Sequence, residues 1–117
     1  MNSTATDTKT ILCVSWVAYL AATRKQLLTS QGYTVESAVG MNEALAQCDR
    51  SSAHLLLLGQ SVPREEKRKI VETFRRYNNA PIISLLNVNQ EKLPEVEYGI
   101  EALDPEQLVR TVHSILK

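Results

Sequence analysis

The chain has 117 residues, of which 44% are hydrophobic and 22% charged, so it is long enough to bury a core and fold as one domain. Its 13 basic residues equal its 13 acidic residues in number, and this balance lacks the excess of Lys and Arg that favours binding to a nucleic-acid backbone. No apolar run approaches the roughly 20 residues that a membrane-spanning helix needs, and the polar N-terminus lacks a signal-peptide pattern. We therefore expect a cytoplasmic protein that binds neither nucleic acid nor membranes.

Predicted strands and helices alternate along the chain and are joined by short links. Apolar or alternating runs rich in β-forming residues predict strands over 10–14, 33–38, 53–58, 81–86 and 98–103. Apolar residues at helical spacing predict helices over 19–31, 42–49, 64–77 and from Pro105 onward, where Asp104 is a typical N-cap. Residues 87–97 are polar and contain Pro94, which permits at most one helical turn.

This alternation predicts an α/β fold with three layers, in which a doubly wound parallel sheet of five strands lies between two layers of helices. The predicted single domain covers residues 9–117 and follows a polar or disordered tail over residues 1–8. Arg24 and Lys25 lie off the apolar face of the first helix. The basic clusters at 67–69 and 75–76 adjoin acidic residues and are assigned to a solvated helix face.

Five segments, in the right order and at the right spacing, resemble the receiver domains of two-component response regulators. They are ILCVSW (11–16), SQGYTVESAVGMNEAL (30–45), HLLLLGQSVP (54–63), PIISLLN (81–87) and LDPEQL (103–108). The resemblance covers about residues 9–117. It implies a flavodoxin-like sheet with strand order 2-1-3-4-5 and a role in phosphorelay signal transduction.

Every position that carries the chemistry of that family holds a different residue here. Phosphotransfer needs a carboxylate nucleophile and a hard cation held by oxygen ligands. The resemblance, with these replacements, implies a degenerate receiver, or pseudo-receiver, that is not an enzyme and has no catalytic residue, metal or cofactor. The replacements are Ser15 and Trp16 for the acidic pair that holds Mg²⁺, Gly59 for the phosphoacceptor aspartate, Leu86 and Asn87 for the Thr or Ser and the small residue that respond to phosphorylation, and Glu101 and Ala102 for the lysine of strand 5 and its proline.

The segment between the fourth and fifth strands is too short for the full fourth helix of the family, which we expect to be shortened or lost. Its loss would uncover apolar residues, and an exposed apolar patch is commonly an interaction surface. The alternative is that the loop packs down and covers them. The candidate partner surface consists of Leu93, Val96, Tyr98 and Ile100, and the partner is expected to be a protein, a second copy of the chain included.

Phosphorylation-independent protein–protein interaction is the leading hypothesis, and two alternatives stay open. One is a small-molecule sensor with Trp16 and Asn87 lining a dry pocket. The other is a flavodoxin-like nucleotide-binding protein that uses the crevice at the strand ends, although SWVAYLAA (15–22) lacks the Gly-rich loop that phosphate binding favours. We further expect Trp16 to fill the space beside Gly59. Three serines at the strand ends have no general base within their own motifs, namely Ser15, Ser61 and Ser84.

Overall fold

Five parallel strands and four helices alternate along residues 8–117, the part of the chain that the computed structural model describes. The predicted tail over residues 1–8 lies, except for its last residue, outside the described residues. The strands are β1 (Thr10–Ser15), β2 (Thr34–Val39), β3 (Leu55–Leu58), β4 (Ile82–Leu86) and β5 (Tyr98–Glu101). The helices are α1 (Ala18–Ser30), α2 (Met41–Cys48), α3 (Arg64–Arg75) and α4 (Pro105–Leu116).

The sheet has the strand order β2-β1-β3-β4-β5, with every neighbouring pair parallel. This confirms the predicted 2-1-3-4-5 topology. Each crossover contains a helix except the one from β4 to β5, where the 87–97 segment contains no helix. The fourth helix of a full receiver is therefore absent from this segment, so α4 is the counterpart of the fifth.

Two apolar clusters, one on each face of the sheet, form the core. Leucine, isoleucine, valine and cysteine side chains of the central strands alternate between the two faces, as successive residues of a strand must. One cluster joins the sheet to α2 and α3 through Ala44, Ile70 and Phe74. The other joins it to α1 and α4 through Leu28 and Val112. The three predicted layers are thus present.

Local signals in the sequence set two helix ends. The Asp104 carboxylate accepts a hydrogen bond from the Gln107 backbone N–H at 3.0 Å, and Pro105 occupies the first position of α4, as an N-cap followed by proline predicts. Gly32 has a φ of +99° just beyond α1, a conformation that glycine adopts without the steric penalty of a side chain.

The 87–97 segment packs down onto α3 and the edge of the core. Leu93 and Val96 are buried in the α2/α3 cluster. Three arginines of α3 hold the segment from outside. Arg64 donates to the Glu91 carbonyl at 2.8 Å, Arg68 pairs with Glu95 at 2.9 Å, and Arg75 pairs with Glu97 at 2.8 Å. The second of the two arrangements expected for this loop, in which it covers the apolar residues, is the one observed.

The predicted partner surface is consequently wrong for three of its four residues. Leu93, Val96 and Ile100 are each at most 3% exposed, because the segment turns its apolar side chains into the core in place of a helix. Tyr98, at the start of the edge strand β5, is exposed. In the part of the chain that is described, no helix has the length and apolar character needed to cross a membrane.

Candidate functional site

The positions predicted to carry chemistry meet at the carboxyl edge of the sheet. Ser15 ends β1, Gly59 follows β3 directly, and Leu86 and Glu101 end β4 and β5. Leu86 and Glu101 are register partners, and the Gly59 N–H donates to the Val14 carbonyl at 2.8 Å. Open α/β sheets bind ligands at this edge. We call it the crevice.

A buried arginine lies beside Gly59, the position that the sequence resemblance assigns to the phosphoacceptor. Arg24 is 7% exposed, and a Cβ built at Gly59 would lie 3.2 Å from the Arg24 Nη1 atom. Nη2 donates to the side-chain oxygen of Gln60, whereas Nη1 is buried and has no hydrogen-bond partner within residues 8–117. The place next to Gly59 therefore carries a permanent positive charge instead of a carboxylate.

Helix α1 supplies this arginine from its buried face. Ala21, Arg24 and Leu28 are the buried side chains of α1, and their spacing places them on one side of the helix. Burial lowers the pKa of the Arg24 guanidinium from its ordinary value, but arginine stays protonated in proteins. Burial also raises the pKa of the Cys13 thiol to about 11, against the opposing charge of Arg24. Cys13 is therefore an un-ionised thiol at neutral pH.

The hydroxyl of Ser15, at the first position of the acidic pair, is fully used in local hydrogen bonds. Its Oγ lies 3.0 Å from both the backbone N–H and the carbonyl oxygen of Val17 and 3.2 Å from the Ser61 Oγ. The Ser61 Oγ also accepts the Trp16 backbone N–H at 2.9 Å. These bonds connect the end of β1 to the loop after β3 and fill the place of the acidic pair with neutral groups.

The Trp16 ring lies against α3 and not beside Gly59. Its Nε1 donates to the Glu66 carboxylate at 2.8 Å, and the half-buried ring packs on the α2/α3 cluster. Gly59 faces the opposite side of the sheet, because Leu57, two residues earlier in the strand, belongs to the α1/α4 cluster. The expectation that Trp16 fills the space beside Gly59 is therefore wrong, and Arg24 fills it.

The residues of the crevice do not fit a magnesium ion. Mg²⁺ prefers octahedral oxygen ligands and is usually anchored by one or two carboxylates. No group of three or more His, Cys, Asp or Glu side chains that could hold a metal ion occurs between residues 8 and 117. The charged group in contact with the Gly59 position is the Arg24 cation, which repels a metal ion.

Glu101, at the position of the strand-5 lysine, is exposed at the rim of the crevice. It lines a cavity of about 250 Å³ together with Arg24 and a smaller one of about 110 Å³ together with Asn87. Trp16 lines neither cavity. Neither of these two cavities is therefore the dry pocket between Trp16 and Asn87 that the small-molecule alternative requires.

A second buried cation, Lys67, lies beside β4. It is 5% exposed, and its Nζ donates to the Ser84 Oγ at 2.8 Å and to the Leu85 carbonyl at 2.9 Å. The interpretation of residues 67–69 as a solvent-exposed face is therefore wrong for Lys67, although Lys69 is exposed. The Ser84 hydroxyl oxygen accepts a hydrogen bond from this ammonium group, which as a cation is a donor and not a base.

The sequence interpretation missed Arg24 and Lys67 although their spacing carried the signal. Arg24 lies four residues before the inward-facing Leu28, and Lys67 lies three and four residues before the inward-facing Ile70 and Val71. Side chains three and four apart share a helix face. Their charge suggested an exposed position, whereas their helical spacing indicates the buried face.

The sequence matches no protein-family model and no curated protein, whereas the structure resembles solved receiver domains. A response regulator receiver domain from Methylobacillus flagellatus has a TM-score of 0.78 and 16% identity, over 92% of this chain and 98% of its own. A two-component response regulator from Clostridium difficile has a TM-score of 0.79 and 19% identity, over 92% and 95% of the two chains. A response regulator receiver domain protein from Methanospirillum hungatei has a TM-score of 0.77 and 21% identity, over 93% and 94%. The chain therefore has the flavodoxin-like receiver fold, as its sequence resemblance predicted.

Proposed function

We propose that this chain is a degenerate receiver, or pseudo-receiver, which takes part in two-component-type signalling by binding a protein partner without being phosphorylated. The receiver fold over more than nine-tenths of the chain supports the signalling role. The altered crevice supports independence from phosphorylation. On this proposal the protein has no enzymatic activity and needs no metal or cofactor. Its cytoplasmic location stays a prediction.

The observation that carries the proposal is the contact between Arg24 and Gly59. Phosphoryl transfer to a receiver needs a carboxylate nucleophile in line with the phosphorus and a cation to neutralise the developing charge. Here the nucleophile is absent, and a guanidinium occupies its side of the crevice. The Ser15–Ser61 hydrogen bonds replace the metal-binding carboxylates with neutral groups. No step of the phosphorylation chemistry has the groups that it requires.

The proposed partner surface lies at the carboxyl ends of β4 and β5. Val88 is 80% exposed and Leu103 is 88% exposed, and both line the cavity of about 110 Å³ that Leu86 also lines. Large apolar side chains exposed side by side are more typical of interaction sites than of ordinary surface. This pair takes the place of the buried residues that the sequence suggested, and the exposed Tyr98 marks the other end of β5.

Affinity capture from the native cell extract tests the proposal. The immobilised wild-type protein is compared with a variant that carries Val88→Asp and Leu103→Asp, and each is used with and without Mg²⁺ and acetyl phosphate. Both positions are exposed, so the variant is expected to keep the wild-type free energy of unfolding within about 0.5 kcal/mol. We expect a protein partner that the wild type retains equally under both conditions and that the variant loses.

Two results would contradict the proposal. One is a partner retained only after treatment with the phosphodonor, which would make binding depend on phosphorylation. The other is a partner retained equally by the wild type and the double variant, which would place the interaction elsewhere on the molecule.

A further inference from the structure

A cavity of about 340 Å³ opens between the start of α3, the end of β4 and the beginning of the 87–97 segment. Its volume is within the range of small-molecule sites in proteins, which is roughly 300–1,000 Å³. It lies on the α2/α3 side of the sheet, away from the Arg24–Gly59 contact. We call it the Lys67 cavity. The residues that line it are Val62, Arg64, Lys67, Ser84, Leu86, Asn89, Gln90, Glu91 and Leu93.

The ammonium group of Lys67 lacks a counter-charge. Its two observed bonds are to the neutral oxygens of Ser84 and Leu85, which leaves the third of its three donors free. None of the ion pairs within residues 8–117 includes Lys67. A buried charge without a partner is costly, and buried charges in proteins are normally paired. An anion is the kind of group that would balance this charge.

The surroundings of Lys67 increase this demand for an anion. Arg64 lines the same cavity one turn earlier on α3 and uses its Nη1 to bind the Glu91 carbonyl. Glu91, whose carboxylate forms none of the ion pairs of the described residues, is the one acidic residue of the lining. Two cations on one helix therefore face a space that contains one carboxylate, that of Glu91, besides the Ser84 hydroxyl and two amides, so the lining has one positive charge more than it has negative charges.

We propose that the Lys67 cavity binds a small organic anion, whose carboxylate or phosphate group pairs with the Lys67 ammonium and the Arg64 guanidinium. Nitrogen donors with a positive charge form the short, strong hydrogen bonds that both kinds of group accept. The apolar part of the ligand packs against Val62, Leu86 and Leu93, the apolar residues of the lining, which we call the apolar wall. A ligand with this combination fits better than an inorganic ion, which would leave that wall without contacts.

Binding is expected to weaken at alkaline pH. Burial, and then the positive charge of Arg64, lowers the pKa of Lys67 to about 8. Above that pH the Lys67 amine loses its charge in the empty cavity; the other charged groups of the lining are the Arg64 guanidinium and the Glu91 carboxylate. An anion that prefers the protonated amine therefore binds more tightly at pH 7 than at pH 9.

Thermal unfolding in the presence of three probes tests the proposal: inorganic phosphate, acetate and hexanoate, each against chloride at equal ionic strength. A ligand that binds only the folded chain raises the unfolding midpoint as its concentration increases. We expect a saturable increase with phosphate or with the two carboxylates, and a larger one with hexanoate than with acetate because of the apolar wall. The probe that gives the larger midpoint increase at equal concentration, phosphate or a carboxylate, identifies the head group that the site prefers.

Matched variants locate the binding site. Lys67→Met keeps the length of the side chain and removes its charge, and it should weaken the apparent affinity about tenfold or more, as the loss of a hydrogen bond to a charged group does. Lys69→Met removes an exposed charge from the same helix and should leave the affinity within about twofold. Arg64→Gln, on the exposed side of the cavity, provides a second variant should Lys67→Met fail to fold.

Either of two results would overturn the proposal. One is the absence of a saturable midpoint increase with all three probes. The other is an increase that Lys67→Met, or Arg64→Gln in its place, leaves unchanged relative to Lys69→Met, because binding would then depend on general surface charge.

Discussion

At the scale of single residues, the crevice of this protein reverses the charge pattern of a receiver. The sequence resemblance implies carboxylates at the ends of the first and third strands, whereas here Arg24 is the charged group next to Gly59. Its Nη1 has no hydrogen-bond partner within the described chain, so the arginine contributes packing more than it contributes polar stabilisation. Replacing a buried charge by an apolar group of similar volume is often neutral or stabilising.

Replacement of Arg24 separates its charge from its volume. Arg24→Met keeps most of the volume and should change the free energy of unfolding by less than about 1 kcal/mol. Arg24→Ala also removes the packed aliphatic stem and should destabilise by about 1–3 kcal/mol. Urea unfolding of both variants makes the comparison. A Met variant that loses as much stability as the Ala variant would show that the charge itself holds the crevice together.

Trp16 should contribute less stability than a fully buried tryptophan. Its ring is half-buried, so Trp16→Ala should cost about 1–3 kcal/mol, below the roughly 3–5 kcal/mol of a fully buried aromatic. The matched variant Glu66→Gln keeps an acceptor for the indole N–H and should cost less than about 0.5 kcal/mol. Equilibrium unfolding in urea gives the change in free energy of unfolding for each of the two variants. A cost above 4 kcal/mol for Trp16→Ala would place the ring in the core.

At the scale of elements, the 87–97 segment replaces a helix with a short loop that still supplies core residues. Leu93 and Val96 fill the α2/α3 cluster. Glu97 binds Arg75 of α3 and also accepts the backbone N–H of Ile82 at 2.9 Å. One side chain thus connects the loop to both a helix and a strand. The segment covers the edge of the core without being helical, because Leu93 and Val96 enter the α2/α3 cluster while arginines of α3 hold the backbone and carboxylates around them.

Truncation of the segment's buried anchor should be costly. Leu93→Ala removes a fully packed side chain and should destabilise the protein by about 2–5 kcal/mol. Leu103→Ala is the control, because Leu103 is largely exposed and its truncation should cost less than about 0.5 kcal/mol. The comparison uses the free energy of unfolding in urea. Equal costs for the two variants would mean that the segment is detached from the core in solution.

The elements themselves could be predicted from the sequence, whereas the contents of the crevice could not. Runs such as Leu55–Leu58 predict a strand covered on both faces, and Asp104 followed by Pro105 predicts a helix start, because these signals are local. The group that lies beside Gly59 depends on the position of the charged end of a long side chain from α1. Arginine and lysine carry their charged groups several bonds from the backbone. Helical spacing therefore predicts which way the Arg24 and Lys67 side chains point, but not which groups they contact.

At the scale of the whole molecule, Lys67 makes stability depend on pH. Its pKa is about 8 in the folded state, lowered from an ordinary value of 10.5, so the unfolded chain binds this proton more tightly than the folded chain. The contribution of Lys67 to the free energy of unfolding therefore rises between about pH 8 and 10.5, by an amount on the order of 3 kcal/mol. Outside that window this contribution is constant. Below pH 8 both states carry the charge, and the folded state bears the full cost of burying it.

Lys67→Met should remove this pH dependence. The difference in free energy of unfolding between the variant and the wild type should favour the variant most at pH 7 and decrease as the pH rises through 10, since other titrating groups cancel in the comparison. Urea unfolding at several pH values, in chloride without phosphate or carboxylate, gives the difference. A difference that does not change with pH would mean that Lys67 has an ordinary pKa and is exposed in solution.

A receiver fold with Arg24 beside Gly59 is expected not to accept a phosphoryl group. Intact-mass measurement after incubation with acetyl phosphate and Mg²⁺ tests it most directly, with an active receiver domain as a positive control and Gly59→Asp as a second sample. At that position a Cβ would lie 3.0 Å from the Val14 carbonyl and 3.2 Å from Arg24 Nη1, so an aspartate would pair with the guanidinium and lack a metal site. We expect an unchanged mass for both the wild type and the variant, and a wild-type chain whose mass increases by one phosphoryl group would overturn the proposal.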